Sequence, residues 1–427
     1  MKRKALIVTL TILLCLFFMP QYSGVIRRAE ASRPTKSAAA IIAPTPFVAT
    51  APLNVTAECM ITIESTSGRI LYAKNEHKKR PMASVTKILT AITVLENTAD
   101  LDVKRIIPAG AAGIEGSSIY LAAGEKISTI DLLYGLMLQS GNDCAVALAI
   151  LTGGSIDAFA TLMNKTAQKA GANSSNFINP HGLHDERHYT TAFDLAYITA
   201  YAMRNKVFRI ITAANSRRIE RTREDAPTLI LNKNKLLNSL AGADGVKTGF
   251  TKKAGRCLVA SATREGMQII SVVLNCGPMF EECSALINAA FGEYKLTKIA
   301  AAGDALTEIK VFDGKSKTVK AGIARDLYYP LRADERVEAV FDAQKVRAPF
   351  KKGRKLGKVE FYLENRLIFS EELFSIEDAG SMSYWEFLKR GLGEWRIVHN
   401  KDKHYANKQI LSLLRDCQPS KLRTACA

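Results

Sequence analysis

Two strand-like stretches of apolar residues, far apart in the chain, restrict what it can fold into. Cys59-Met60-Ile61-Thr62-Ile63 reads as a strand, Ser67-Gly68 as a turn and Arg69-Ile70-Leu71-Tyr72-Ala73 as the return strand. Leu258–Ala262 and Gln268–Leu274 read as a second strand pair around Arg264-Glu265-Gly266. Between the two pairs the apolar period changes to that of a helix. Ile88, Leu89, Ile92 and Leu95 share one face from Ser84 onward, and further helices are predicted near 128–138, 143–152, 155–170 and 190–204, with another at 281–292. Strands, a long helical insert and strands again make an α+β, mixed α/β arrangement. From 305 to 375 short β-like runs such as Val359-Glu360-Phe361-Tyr362-Leu363 alternate with Gly/Lys turns, which predicts a small all-β domain.

The two ends of the chain differ from its body. Met1-Lys2-Arg3-Lys4 is a positive segment, Ala5 to Met19 is apolar, and Ala29-Glu30-Ala31 is a small-x-small site before Ser32. That order reads as a secretory signal over 1–31, with an uncleaved anchor as the alternative; both place the body of the protein outside the cytoplasm. Residues 32–52 are Ala/Pro/Ser/Thr-rich without periodicity and read as a linker. At the other end Trp385, Leu388, Leu392 and Trp395 recur at helical spacing with Lys389, Arg390 and Arg396 between them. This is the composition of an amphipathic helix over 380–398 lying in a membrane interface, the alternative being a helix docked on the β domain. A basic tail, 399–427, follows.

The formal net charge is +18, of which residues 1–31 contribute only four. Such an excess attracts polyanions, anionic lipid or an acidic wall polymer, or simply solvates the surface. Nothing resembles a zinc finger, an RNP motif or a basic zipper, so no nucleic-acid partner is expected. Cys15 lies in the apolar run. The other seven of the eight cysteines are scattered, and Cys59, Cys144, Cys257 and Cys276 stand among apolar neighbours, as small core residues do, rather than forming a disulfide framework.

Three short motifs carry chemistry: Ser84-Val85-Thr86-Lys87, Ser140-Gly141-Asn142 and Lys247-Thr248-Gly249. Each alone is weak; their order and setting give them weight. A serine at the start of a helix places its hydroxyl where the helix dipole and free N–H groups favour negative charge. Lys87, three residues on, lies on the same face, one turn away. It accepts the serine proton only when neutral, so its pKa must be lowered by burial or by a second cation such as Lys247. Ser140 and Asn142, from a loop between helices, suit proton relay and the holding of a peptide amide. Lys247 and Thr248, on an edge strand that begins a hairpin, suit a carboxylate, and Gly249 leaves room for a substrate backbone to pair with that edge.

With these residues the sequence resembles the low-molecular-mass penicillin-binding proteins that act as serine-type D-alanyl-D-alanine carboxypeptidases. Longer stretches carry the resemblance too: Gly116-Ser117-Ser118-Ile119-Tyr120 with Gly124-Glu125, Asn179-Pro180-His181-Gly182-Leu183, and Lys247-Thr248-Gly249-Phe250-Thr251, all within residues 55–295. Ala348-Pro349-Phe350-Lys351-Lys352-Gly353 resembles the family's small C-terminal β domain. The resemblance implies a β-lactamase/transpeptidase-like domain over 53–297 and a β-rich domain over 303–376. It implies Ser84 as acylated nucleophile, Lys87 as its base, Ser140 and Asn142 as the second element, Lys247, Thr248 and Gly249 as the substrate strand, and the N–H groups of Ser84 and Phe250 as an oxyanion hole. The substrate would be a peptidoglycan stem peptide ending in D-Ala-D-Ala, β-lactams would acylate Ser84, and the setting would be the outer face of the cytoplasmic membrane. No cofactor is expected. His181, His184 and His188 read as polar loop residues rather than a metal site.

One departure stands out. Many members carry an arginine just after the last core strand, near the substrate carboxylate, whereas here Cys276-Gly277-Pro278-Met279-Phe280-Glu281-Glu282 holds no base. Two other readings follow. A serine β-lactamase needs a carboxylate for the deacylating water, usually in a Glu-x-x-Leu-Asn segment, and no such segment stands between Asn142 and Lys247. A catalytically silent penicillin- or wall-binding sensor would tolerate the missing base.

Overall fold

The structure, a computed structural model, describes residues 54–386 and 388–390. The signal, the linker, the basic tail and, of the terminal amphipathic segment, residues 387 and 391–398 lie outside the described residues. The predicted strand pairs form and join one sheet. β1 (Cys59–Glu64) and β2 (Ile70–Lys74) make the first hairpin; β3 (Ala243–Thr251), β4 (Gly255–Arg264) and β5 (Met267–Leu274) make a meander. β1 pairs with β5, so the order is β2-β1-β5-β4-β3 and every pairing is antiparallel.

Every residue of β1 is buried, because both faces of the sheet are covered. Cys59, Ile61 and Ile63 point into one core and Met60 into another, as the two-residue period of a strand requires. The larger core is built by helices of the insert: α1 (Lys87–Asn97), α2 (Thr129–Leu138), α3 (Asn142–Gly153), α4 (Ile156–Lys169), α5 (Ala192–Met203) and α6 (Lys206–Ala213). α1 is buried continuously from Lys87 to Val94, so it is a central helix with neighbours on all sides. On the other face α7 (Met279–Glu293) closes the second core with Leu236 and Leu240. The insert helices lie close to their predicted positions. α6 and the small pair Ser216–Arg218 with Leu229–Leu231 had no prediction.

The sequence places Ser84 at the first turn of an α-helix. In the structure Ala83–Thr86 is a separate turn of 3-10 helix, and the α-helix begins at Lys87. Ala83 has φ +51°, unfavourable for a residue with a Cβ. Its carbonyl is enclosed: a Cβ on Gly182 would lie 1.9 Å from it, and the Thr86 hydroxyl donates to it at 2.8 Å.

From Lys295 to Ser375 the regular elements are all β. Lys295–Ala300 pairs with Leu327–Leu331, and a six-stranded sheet follows with a core of its own that includes Val319, Val359, Phe361 and Leu373. Arg69, in the turn before β2, reaches this region: it donates to the Pro330 carbonyl and forms a buried ion pair with Glu335, between the rings of Tyr294 and Tyr329. Residues 384–386 and 388–390 are helical, with Tyr384 and Trp385 70% and 71% exposed; Leu392 and Trp395 lie outside the described residues. Cys59, Cys144, Cys257, Cys276 and Cys283 are buried free thiols.

Candidate active site

The fold brings the three motifs to one place. Lys87, at the buried start of α1, directs its Nζ 3.0 Å from the Ser84 Oγ, 2.7 Å from Asn142 Oδ1 and 2.7 Å from the His181 carbonyl. Asn142 is the first residue of α3, and its amide orientation is fixed because Nδ2 donates to the Glu115 carbonyl at 2.6 Å. Two of the three neighbours of Lys87 Nζ therefore only accept hydrogen bonds. An ammonium satisfies all three contacts by donating. A neutral amine keeps two N–H groups for Asn142 and His181, which leaves its lone pair for the hydroxyl of Ser84.

The electrostatics favour that neutral form. Lys87 is fully buried, and its pKa lies well below the ordinary lysine value, first through burial and then through the charge of Lys247. Lys247, on β3, is buried as well; burial, then the charge of Lys233, lowers it to about 7. Lys233 donates to Ser117 Oγ at 3.1 Å and is itself lowered by desolvation. Nothing in the sequence around Lys233 marks it; it comes to the site only through the packing of the loop before β3.

β3 is the edge strand of the sheet and runs past the Ser84 turn. The approach is close: a Cβ on Gly249 would stand 3.0 Å from the Ser84 nitrogen and 3.1 Å from that of Val85. Thr248 is half-buried and Phe250 is 64% exposed at the open end of the strand. Ser140 is buried with φ +66° in the sharp turn between α2 and α3, and its hydroxyl has no hydrogen-bond partner among the described residues. The neighbouring Asp143 carboxylate pins the loop over the site, accepting from Ser118 Oγ at 2.6 Å and from the N–H groups of Ile119 at 3.1 Å and Leu121 at 3.0 Å.

The histidines are held as polar loop residues. His188 is buried; its Nδ1 accepts from the Ile178 N–H at 3.1 Å and its Nε2 lies 3.0 Å from Thr86 Oγ1. Nδ1 is thus the acceptor and Nε2 carries the proton toward Thr86, which in turn donates to the strained Ala83. Burial lowers His188 to about 4, which keeps this neutral form. His181 Nδ1 accepts from the Leu183 N–H at 3.1 Å, and His184 pairs with Glu186. Thr86 and His188 form a brace beneath the serine turn; the sequence marks His188 only as a polar loop residue and gives Thr86 no role.

Comparison with known proteins identifies the family. The profile of the D-alanyl-D-alanine carboxypeptidase family matches residues 45–277. The chain belongs to that family. A second profile, the C-terminal domain of penicillin-binding protein 5, matches residues 294–380. The D-alanyl-D-alanine carboxypeptidase DacC of Escherichia coli is 30% identical over 402 residues, covering 88% of this chain and 98% of its own. DacF of Bacillus subtilis, of the same description, is 29% identical and covers 79% and 90%. The crystal structure of penicillin-binding protein 5 from Haemophilus influenzae superposes with a TM-score of 0.66 at 30% identity, covering 78% of this chain and all of that one.

Proposed function

We propose that this carboxypeptidase removes the terminal D-alanine from peptidoglycan stem peptides through an acyl-enzyme on Ser84. The observation that carries the reading is the buried Lys87 amine, whose other contacts only accept and whose lone pair is left for the Ser84 hydroxyl. Ser84 O–H transfers its proton to neutral Lys87 as Oγ attacks the carbonyl of the penultimate D-alanine. The backbone N–H groups of Ser84 and Phe250 stabilise the oxyanion between the serine turn and β3. As the tetrahedral adduct collapses, the C–N bond breaks and the leaving amine takes a proton relayed from Lys87 by Ser140, whose hydroxyl has no hydrogen-bond partner among the described residues. Water, deprotonated by the same groups, then releases the shortened peptide. Asn142 holds Lys87 in place and offers its amide to the peptide. Lys247 and Thr248 receive the terminal carboxylate, and Gly249 lets the substrate lie against the edge of the sheet. β-Lactams enter by the same attack and remain on Ser84.

The setting follows from the ends of the chain. Residues 1–31 export the protein, 32–52 link it, and 53–297 form the catalytic domain. The β-rich region, 303–376, stands between it and the membrane-associating segment 380–398, which leads into the tail 399–427. Exposed Tyr384 and Trp385, among basic residues, support attachment to the outer face of the cytoplasmic membrane. The test is release of D-alanine from a stem pentapeptide by the intact protein and by Ser84→Ala. Release that depends on Ser84, together with labelling by a fluorescent penicillin that the variant loses, is the expected result. Labelling that persists in Ser84→Ala would remove Ser84 as nucleophile.

A further inference from the structure

The segment after β5 supplies no base to the substrate carboxylate. Of its two acidic residues, Glu282 is turned to the start of the described chain, where it accepts from the N–H groups of Thr56 at 2.8 Å and Ala57 at 3.1 Å. The guanidinium beside this segment belongs to another strand. Arg256, the second residue of β4, is exposed and donates to the Gly277 carbonyl at 3.5 Å, while its own carbonyl accepts from the Cys276 N–H at 2.9 Å.

The register of the sheet places Arg256 against the substrate strand. Phe250 pairs with Arg256 and Thr248 pairs with Leu258, so Arg256 stands on the same face as Thr248, one diagonal step away. Such diagonal neighbours are about 7–8 Å apart, within reach of a long side chain. The strand is fixed at this point: Gly255 has φ +71°, and a Cβ there would meet Asn275 Oδ1 at 2.1 Å. Arg69, Arg80, Arg187, Arg221, Arg223 and Arg325 each pair with a carboxylate. Arg256 has no carboxylate partner among the described residues, and its only side-chain hydrogen bond is the long one to Gly277. A planar guanidinium free of a carboxylate, next to an edge strand, is suited to bidentate capture of one.

We propose that Arg256 anchors the C-terminal carboxylate of the substrate, replacing across the sheet the base that the Cys276–Glu282 segment lacks. This rests on the carboxypeptidase reading of the Ser84 site. It makes Arg256 a specificity-determining residue, one that rewards substrates with a free carboxylate, while Ser84 and Lys87 carry the bond-breaking step.

The test uses the full-length protein in detergent with two probes, diacetyl-Lys-D-Ala-D-Ala and the same peptide with a C-terminal amide. Arg256→Gln should lower kcat/KM for the free acid on the order of 10- to 100-fold, mainly through KM, and leave the amide unchanged. Arg256→Lys should fall between. In the Arg256→Gln background Gly277→Arg should restore the preference for the acid, because a Cβ at Gly277 meets nothing within 4 Å. Equal losses on acid and amide, or no loss on either, would overturn the proposal and leave the carboxypeptidase reading intact. Should the parent protein release nothing from either peptide yet be acylated by benzylpenicillin, the carboxypeptidase reading is what has failed. The anchor is then read on the carboxylate of penicillin: a loss of about 10-fold in acylation upholds it, and an unchanged rate overturns it.

Discussion

The catalytic cleft and the junction with the β-rich region both bury cations, and they treat them oppositely. At the junction Arg69 meets Glu335 in a buried pair, with the Pro330 carbonyl as a further acceptor. Burial alone would raise the pKa of Glu335, but Arg69 and the Arg332 N–H hold it below the ordinary carboxylate range. In the cleft Lys87 and Lys247 are just as buried, yet the hydrogen-bond partners of both amines are neutral oxygens. A buried cation with a carboxylate partner keeps its charge and ties two parts of the chain together. A buried lysine without one is pushed toward the amine, the form that can take a proton. Arginine does not lose its proton under such conditions, which is why the junction uses Arg and the cleft uses Lys.

The largest effect comes from breaking the cleft side of this contrast. Lys87→Met fills the same buried space without an amine and should lower the rate of acylation by a fluorescent penicillin about 1000-fold, with thermal unfolding little changed. Near-normal acylation would mean that another group takes the proton of Ser84. On the junction side Glu335→Gln leaves Arg69 buried without its counter-charge. Its expected cost is about 3 kcal/mol in denaturant unfolding, with acylation of the folded fraction unaffected. The folded-state pKa of Glu335 is depressed, so the stability it contributes is present above the ordinary carboxylate pKa and is lost as pH falls through the lowered value. A variant that loses acylation along with stability would show that the junction also shapes the cleft.

How much of this was legible in the sequence differs between the same two regions. The helices and strand pairs were readable because their faces are apolar at fixed periods, and the motif residues were readable because Ser84 and Lys87 are one turn apart. Arg69 and Glu335 were not, since residues so distant in sequence meet only when two domains pack, and each alone looks like an ordinary surface charge. The roles of Lys233 and Thr86 were hidden for a related reason: Lys233 lies at no motif spacing, Thr86 fills an unspecified position of the Ser84–Lys87 motif, and each acts through a partner brought in by a loop. The start of the helix at Lys87 rather than Ser84 was also beyond periodicity. It depends on the enclosed carbonyl of Ala83, and only packing against Gly182 shows that such a backbone is held. The missing base after β5 was visible from the sequence, whereas the arginine beside the gap required the register of β3 and β4.

The sharpest test of the contrast is the smallest in size, because it moves a charge without touching the reacting groups. Lys87 must be neutral to take the proton of Ser84, so kcat/KM should rise as pH increases through its lowered pKa. Lys247 must be charged to receive a carboxylate, so kcat/KM should fall again as pH passes about 7, the value to which burial and then Lys233 bring it. A bound carboxylate favours the charged form of Lys247, so the same limb should lie higher in kcat than in kcat/KM. Lys233→Gln removes the repulsion and should move the alkaline limb of kcat/KM upward by on the order of half a pH unit, with less change on the acid side, where Lys247 is the stronger influence on Lys87. Were Lys233 merely a support for the Ser117 loop, the variant would lower the rate at every pH and leave both limbs where they are. A shift larger on the alkaline side than on the acid side thus separates a charge acting through space from a side chain holding a loop.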